Sequence, residues 1–227
     1  MNKTILSFFV LATVGFTTLA CKSDKKNETK KDASEQTSEE SKISGTFTID
    51  PGESTINWKG SKPMGEHIGT IDIKSGEIVF QDGKPASGNV VIDMTSITVK
   101  DKDLDEEKKT LLENHLKGTA EGKEADFFNT TKFPTATFEI TGSGENSGKT
   151  ILEGNLTMKG KAHAVAFPVK ISWSSDKSSV KLIGDTFTID RTKWGVNYGS
   201  KSIFDNLGDN WVSDEIELDF AVKASKG

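Results

Sequence analysis

The sequence predicts an all-β fold: an antiparallel β-barrel of about eight or more strands with one helical insertion. Three observations carry that reading. Beyond residue 45, apolar residues recur at every second position in run after run, short turns punctuate the runs, and a single segment departs from the two-residue period. Period two is the pattern of a strand with one buried face, and turns this short pair neighbouring strands antiparallel. A sandwich shares the alternation, whereas a closed barrel also removes its exposed edges.

Taken in order, Phe47 and Ile49 open the set, followed by Ile56 and Trp58, Ile71 and Ile73, Ile78 and Phe80, and Val90, Ile92 and Met94. After the insertion come Ala136, Phe138 and Ile140, then Leu156 and Met158, then the long alternation Val165, Phe167, Val169, Ile171 and Trp173. Val180 with Leu182, Phe187 with Ile189, and Ile216 through Val222 complete it, which predicts at least nine strands. The expected turns are Pro51-Gly52, Lys74-Ser75-Gly76, Gln81 to Pro85, Gly142 to Gly148, and Ser174-Ser175-Asp176. Each is rich in the residues that set turn dihedrals or bond back to their own backbone.

The departing segment starts near Lys102 and carries Leu104, Leu111, Leu112 and Leu116, with Asp103, Asp105, Glu106 and Glu107 at its beginning and Gly118 at its end. Acids suit a helix N-terminus and glycine a helix stop, so a helix is expected here. A shorter helical turn over residues 124–129 is expected to lay Phe127 and Phe128 across the end of the sheet as a lid or plug. Phe127, Phe128, Phe133 and Phe138 fall close together. Burying each is worth roughly 1.5–3 kcal/mol, so this cluster either fills a core or floors a pocket.

Residues 1–20 read as a secretory signal: Lys3 is followed by an apolar run that ends in small residues. The run is about fifteen residues, short of the roughly twenty a spanning helix requires. Cys21, the only cysteine, follows directly and resembles the lipobox cysteine of bacterial lipoproteins, although Thr18 stands where leucine is usual. That resemblance implies acylation of Cys21 and a membrane anchor in a bacterial cell envelope, at the outer membrane or facing the periplasm. Residues 21–44 form the lipidated cysteine and a polar tether that cannot bury enough apolar surface to order itself. Residues 45–227 then form one domain, large enough to be stable without disulfides.

A net charge of −5 and the lack of a basic stripe with interleaved aromatics speak against nucleic acid as a partner. The segment Gly142 to Thr150 ends G-K-T, but Ser143 replaces a required glycine and the segment joins two strands, which makes it a hairpin loop. Asp101, Asp103 and Asp105 are spaced like the start of a calcium loop. Glu106 and Leu112 stand where its glycine and glutamate belong, so the acids are assigned to a helix start. His67, His115 and His163 lack metal-ligand spacing, and no G-x-S-x-G elbow is present. The chain is read as a binding protein without catalytic residues, metal or cofactor. What remains is an aromatic set suited to an elongated apolar ligand, since pockets are mostly hydrophobic.

Several strings fall in order along the domain: Phe47-Thr48-Ile49-Asp50 with Ser54 to Trp58, His67-Ile68-Gly69, Ser96-Ile97, Asn114-His115-Leu116, and Asp126-Phe127-Phe128-Asn129. Phe133-Pro134 with Thr137-Phe138, Gly154 to Gly160, and Ile189 to Gly195 follow. In this order the strings resemble the YceI-like family of secreted, lipocalin-like barrels that bind polyisoprenoid lipids. Asn129 in place of aspartate, an insert around Gly118 to Glu124, and the long stretch Ser200 to Trp211 depart from the pattern.

The resemblance implies an isoprenoid lipid or quinone held inside the barrel, which the protein carries, stores or senses as a monomer or homodimer. Candidate lining residues are Trp58, Phe80, Phe127, Phe128, Phe133 and Phe138, together with Phe167, Trp194, Phe204 and Trp211. His67 and His115 are candidate polar contacts near the mouth. Rival readings are a structural or stress-response protein whose barrel is filled by its own side chains, and a redox accessory that handles a quinone headgroup. An enzyme would require His67, His115 and a carboxylate within bonding reach of one another.

Overall fold

The computed structural model describes residues 43–227; the expected signal segment, Cys21 and most of the tether lie outside the described residues. The described strands are β1 (Gly45–Ile49), β2 (Thr55–Lys62), β3 (Gly65–Gln81), β4 (Lys84–Val99), β5 (Thr135–Asn146), β6 (Lys149–Met158), β7 (Lys161–Trp173), β8 (Ser179–Asp190) and β9 (Glu215–Lys226). Among the described residues one α-helix, α1 (Glu106–Lys117), accompanies them. Every pairing is antiparallel, and the sheet closes because β2 bonds to β3 on one side and to β9 on the other.

β1 and β2 share one lane between β3 and β9, separated by the 3₁₀ turn Pro51–Glu53. The nine strands therefore build a closed antiparallel barrel of eight staves, the size that encloses side chains or one small ligand. No helix of the described residues is long and apolar enough to cross a membrane.

The expected turn at Lys74-Ser75-Gly76 is instead a bulge inside β3, where the register against β4 shifts between Ile73 and Ser75. The sequence reads as two strands because a bulge inserts one residue and flips the buried parity: Ile71 and Ile73 point inward before it, Ile78 and Phe80 after it. β8 does the same between Gly184 and Phe187. Where true hairpins occur, Asp82-Gly83, Ser147-Gly148 and Lys159-Gly160 all adopt positive φ at both turn positions, the geometry that matches the twist of two-residue hairpins.

α1 starts where its acids place it. Asp105 caps it by accepting from the Lys108 N–H at 2.9 Å, and Gly118 ends it in the left-handed region at φ 71°. The helix is tied to the barrel rim by Val99 N–H, which donates to Glu113 Oε1 at 2.8 Å. The expected helical turn over residues 124–129 is a series of turns instead. Phe128 and Thr130 N–H bond back to Leu116 and Lys117 carbonyls at the end of α1, and Asn129 sits at φ 50°. Asparagine tolerates that conformation, so the segment folds against α1 without becoming helical.

Inward-facing glycines let aromatic rings lie flat on the barrel wall. A Cβ at Gly69 would overlap the Trp58 indole, its cross-strand neighbour, and one at Gly184 would overlap the Phe220 ring. At the end of the barrel away from α1, Phe47, Phe80 and Trp173 pack edge to face with centroids 4.7–5.4 Å apart and fill the cross-section.

Candidate functional site

The half of the barrel nearer α1 is hollow, with a cavity of about 490 Å³, within the roughly 300–1,000 Å³ span of small-molecule sites. Its walls are inward aliphatics from alternating strand positions: Ile71 of β3, Met94 and Ile97 of β4, Met158 of β6, Ile189 of β8 and Ile216 of β9. Leu112 and Leu116 of α1, with Phe127 and Phe128, cover one side. The mouth lies among Lys62 and Met64 of the β2–β3 hairpin, Tyr198, and the segment Asp209 to Ser213.

Apart from the Trp58 indole N–H, which is buried in the wall without a hydrogen-bond partner among the described residues, the polar groups gather toward this mouth. His67 Nδ1 lies 2.5 Å from Asp101 Oδ2, and His115 Nε2 lies 2.7 Å from Asp126 Oδ2. Asp101 also accepts from the Ile68 N–H at 2.8 Å, which fixes the carboxylate. His115, Phe127 and Tyr198 form a ring cluster with centroids 4.9–5.1 Å apart. Lys159 ties this corner down by donating to the carbonyls of Phe127 at 2.5 Å and Gly195 at 3.1 Å. Burial, together with neighbouring Lys161, pulls its ammonium below the usual lysine pKa.

The long segment after β8 is organised from within by one buried cation. Arg191 is 1% exposed and spends its guanidinium on backbone carbonyls: Nε on Ser213 at 2.8 Å, Nη1 on Val196 at 2.5 Å, and Nη2 on Tyr198 at 2.8 Å and Val212 at 3.0 Å. Burial lowers its pKa, an effect opposed by Asp214 and Asp190. Ser213 N–H then hooks the segment to Ser61 O of β2 at 2.8 Å. The mouth is thus held by a side chain whose donors are committed to the protein itself.

A second, smaller void of about 90 Å³ lies between the cavity and the aromatic end, lined only by apolar side chains. With no polar partners it stays dry. A dry void of that size costs about 2 kcal/mol at ~24 cal/mol per Å³.

Six of the expected residues line the large cavity: Trp58, His67, His115, Phe127, Phe128 and Trp211. Lys201 holds its ammonium 4.2 Å over the Trp211 ring. Phe138 and Phe167 line the inner void, beside Phe187 and Phe220.

Four expected residues are placed elsewhere. Phe80 belongs to the aromatic plug at the opposite end, because the β3 bulge carries it past the hollow half. Trp194 is buried outside the cavity wall, its indole N–H donating to Leu156 O at 2.9 Å. Phe133 lies in the loop before β5 under the Lys132 ammonium, and Phe204 is 48% exposed on the mouth segment.

Tyr198 and Arg191 were not among the expected lining residues, and neither were the aliphatics that make up most of the wall. The alternation itself marks Ile92, Met94, Leu156, Met158, Ile216 and Leu218 as inward-facing, a signal that aromatic character alone does not carry. An enzyme reading required the two histidines to share a carboxylate, and each is paired with its own. Among the described residues no three His, Cys, Asp or Glu side chains converge as a metal site. Asp101 and Asp105 serve His67 and the helix cap, and residues 146–149 form a hairpin.

Comparison with known proteins follows the same fold. A family model described as YceI-like domain matches residues 47–224. Among curated relatives, "Protein YceI" of Shigella flexneri is 29% identical over 110 residues, covering 48% of this chain and 50% of that protein. A UPF0312 protein of Shewanella baltica is 28% identical over 106 residues, covering 43% and 49%. The chain spans about half the length of these relatives.

Among solved structures, BcnA of Burkholderia cenocepacia superposes with a TM-score of 0.58 at 23% identity, covering 78% of this chain and 99% of that one. A polyisoprenoid binding domain from Saccharophagus degradans, implicated in plant cell wall breakdown, gives a TM-score of 0.54 at 12% identity, covering 80% and 98%. At these identities the likeness is one of fold.

Proposed function

The chain belongs to the YceI-like domain family, and from that premise we propose that it binds one isoprenoid-type lipid, a quinone or polyprenyl chain, with the tail inside the barrel and the headgroup at the mouth. The observation that carries this reading is the hollow half-barrel: about 490 Å³ walled by aliphatic and aromatic side chains, closed at the far end, and polar chiefly at its opening, the buried and unpartnered Trp58 indole N–H being the exception deeper in the wall. At about 0.8 kcal/mol per buried CH₂, a tail needs no specific polar contact to be retained. A half-barrel that its own side chains leave unfilled weighs against a purely structural barrel. The printed description of the Saccharophagus degradans domain as polyisoprenoid binding is in keeping with the proposal.

His67, His115, Tyr198 and Asn210 at the mouth supply donors and acceptors to a carbonyl- or hydroxyl-bearing headgroup, which favours a quinone or phenol among isoprenoids. The protein acts by binding, as carrier, store or sensor, and not by catalysis. Cys21, directly after an apolar run, is the proposed acylated anchor, and the proposed site of action is a bacterial envelope membrane, with the barrel at the end of a polar tether. The test is mass spectrometry of organic extracts from protein purified without detergent exchange. An isoprenoid at near-stoichiometric amount is the expected result, and a ligand-free extract from freshly isolated protein would overturn the proposal.

A further inference from the structure

We infer that the inner void is the seat of the terminal isoprene unit, and that Ile56, Ile92, Leu156 and Leu218 form a collar the tail parts to reach it, so that the barrel selects for chain length. The inference rests on the reading of the outer cavity as an isoprenoid site. Those four residues border both spaces. The order along each stave shows that the spaces lie in line. On β4, Met94 lines the outer space, Ile92 both, and Val90 the inner. On β6 the sequence is Met158, Leu156, Leu152, and on β9 it is Ile216, Leu218, Val222.

None of the four collar residues is fully buried, so each has open space beside it into which the side chain can turn. Beyond the inner void the Phe47, Phe80 and Trp173 rings block the axis, which sets a stop. Size makes the selection specific. A dry cavity of about 150 Å³ takes a six-carbon ring, so by proportion the outer space takes about twenty carbons and the inner about four. That corresponds to roughly four isoprene units and then one more.

The experiment measures calorimetric binding of free prenols with about three to six isoprene units to the full chain after delipidation. The same series is run on Val165→Phe, which fills the inner void from β7, and on Val165→Ile, a milder filling that guards against misfolding. Wild type should gain at least about tenfold in affinity at the fifth unit, against a ceiling of roughly a thousandfold for five fully buried carbons, and nothing at the sixth. The filled variants should bind three- and four-unit prenols as wild type does and lose most of the fifth-unit gain, more so in the phenylalanine variant. Binding of short prenols with a fifth-unit gain that is absent in wild type, or that survives filling, overturns the collar and leaves the lipid-binding reading standing. Failure of every prenol to bind overturns both.

Discussion

Replacing Arg191 with methionine should unfasten the mouth of the barrel while leaving the far end intact. The side chain is buried, and four backbone carbonyls, those of Val196, Tyr198, Val212 and Ser213, receive its N–H groups at 2.5–3.0 Å. Methionine keeps the apolar stem but orphans all four acceptors, each costing about 1–3 kcal/mol if it stays dry. Removing a buried charge returns part of that through the desolvation it no longer suffers, while Asp214, 3.7 Å from Nη2, loses its cation, so the net loss should be ~3–5 kcal/mol. In a domain of this size each kcal/mol moves the midpoint by about 2–4 °C, which gives a drop of roughly 6–20 °C.

Urea and thermal unfolding measure the total, and amide hydrogen exchange locates it. Protection should collapse over residues 196–213 before the β1, β3 and β7 amides around the aromatic plug are affected. Arg191→Lys should recover little, since one ammonium cannot reach carbonyls on several sides of the segment. A loss below about 1 kcal/mol, or exchange that rises evenly over the barrel, would refute the assignment of Arg191 as the organiser of the mouth.

Three further outcomes are expected. Gly184→Ala should cost about 1–3 kcal/mol by displacing the Phe220 ring, and most of that cost should vanish in a Phe220→Leu background; additive costs would contradict the ring contact. Asp176 accepts from the Ser174 and Ser178 hydroxyls and the Ser178 N–H, which holds its carboxyl at about 2, below the ordinary 3.8. Its folded pKa is depressed, so its stabilisation is complete above the unfolded value and fades as pH falls from about 4 to 2. The urea midpoints of wild type and Asp176→Ala should therefore differ at pH 6 and converge near pH 2, and a gap independent of pH would count against it. Cys21→Ser should move the protein from the membrane fraction to the soluble fraction, and unchanged membrane retention would argue against acylation.

The staves and α1 were legible because each is governed by local chemistry: alternation for the strands, and Asp105 and Gly118 for the helix ends. The β3 bulge was not, since a parity flip between Ile73 and Ile78 looks the same in sequence as a turn between two strands. The site was half legible. Residues tied to the helix and its following loop, such as His115 and Phe127, lie beside the cavity because chain neighbours stay close. Phe80 and Trp194 were misplaced because aromatic character says that a residue is buried, not at which end of a barrel. The hollow itself follows from where side chains stop short of one another. That depends on the three-dimensional placement of Ile92, Leu156 and Leu218 across different staves, which no one-dimensional pattern reports.

The lane shared by β1 and β2 has a consequence for how the molecule is made. Ser54 and Lys223 exchange hydrogen bonds across nearly the whole domain, with Lys223 N–H donating to Ser54 Oγ at 3.0 Å, so the first stave waits for the last. Such long-range pairing makes for slow folding, and until β9 arrives β2 and β8 stand as two unpaired edges. Loss of the final stave should therefore remove the whole barrel and not an eighth of it. A chain stopped at Asp214 is expected to aggregate; a soluble, cooperatively unfolding monomer from that chain would show that closure is dispensable.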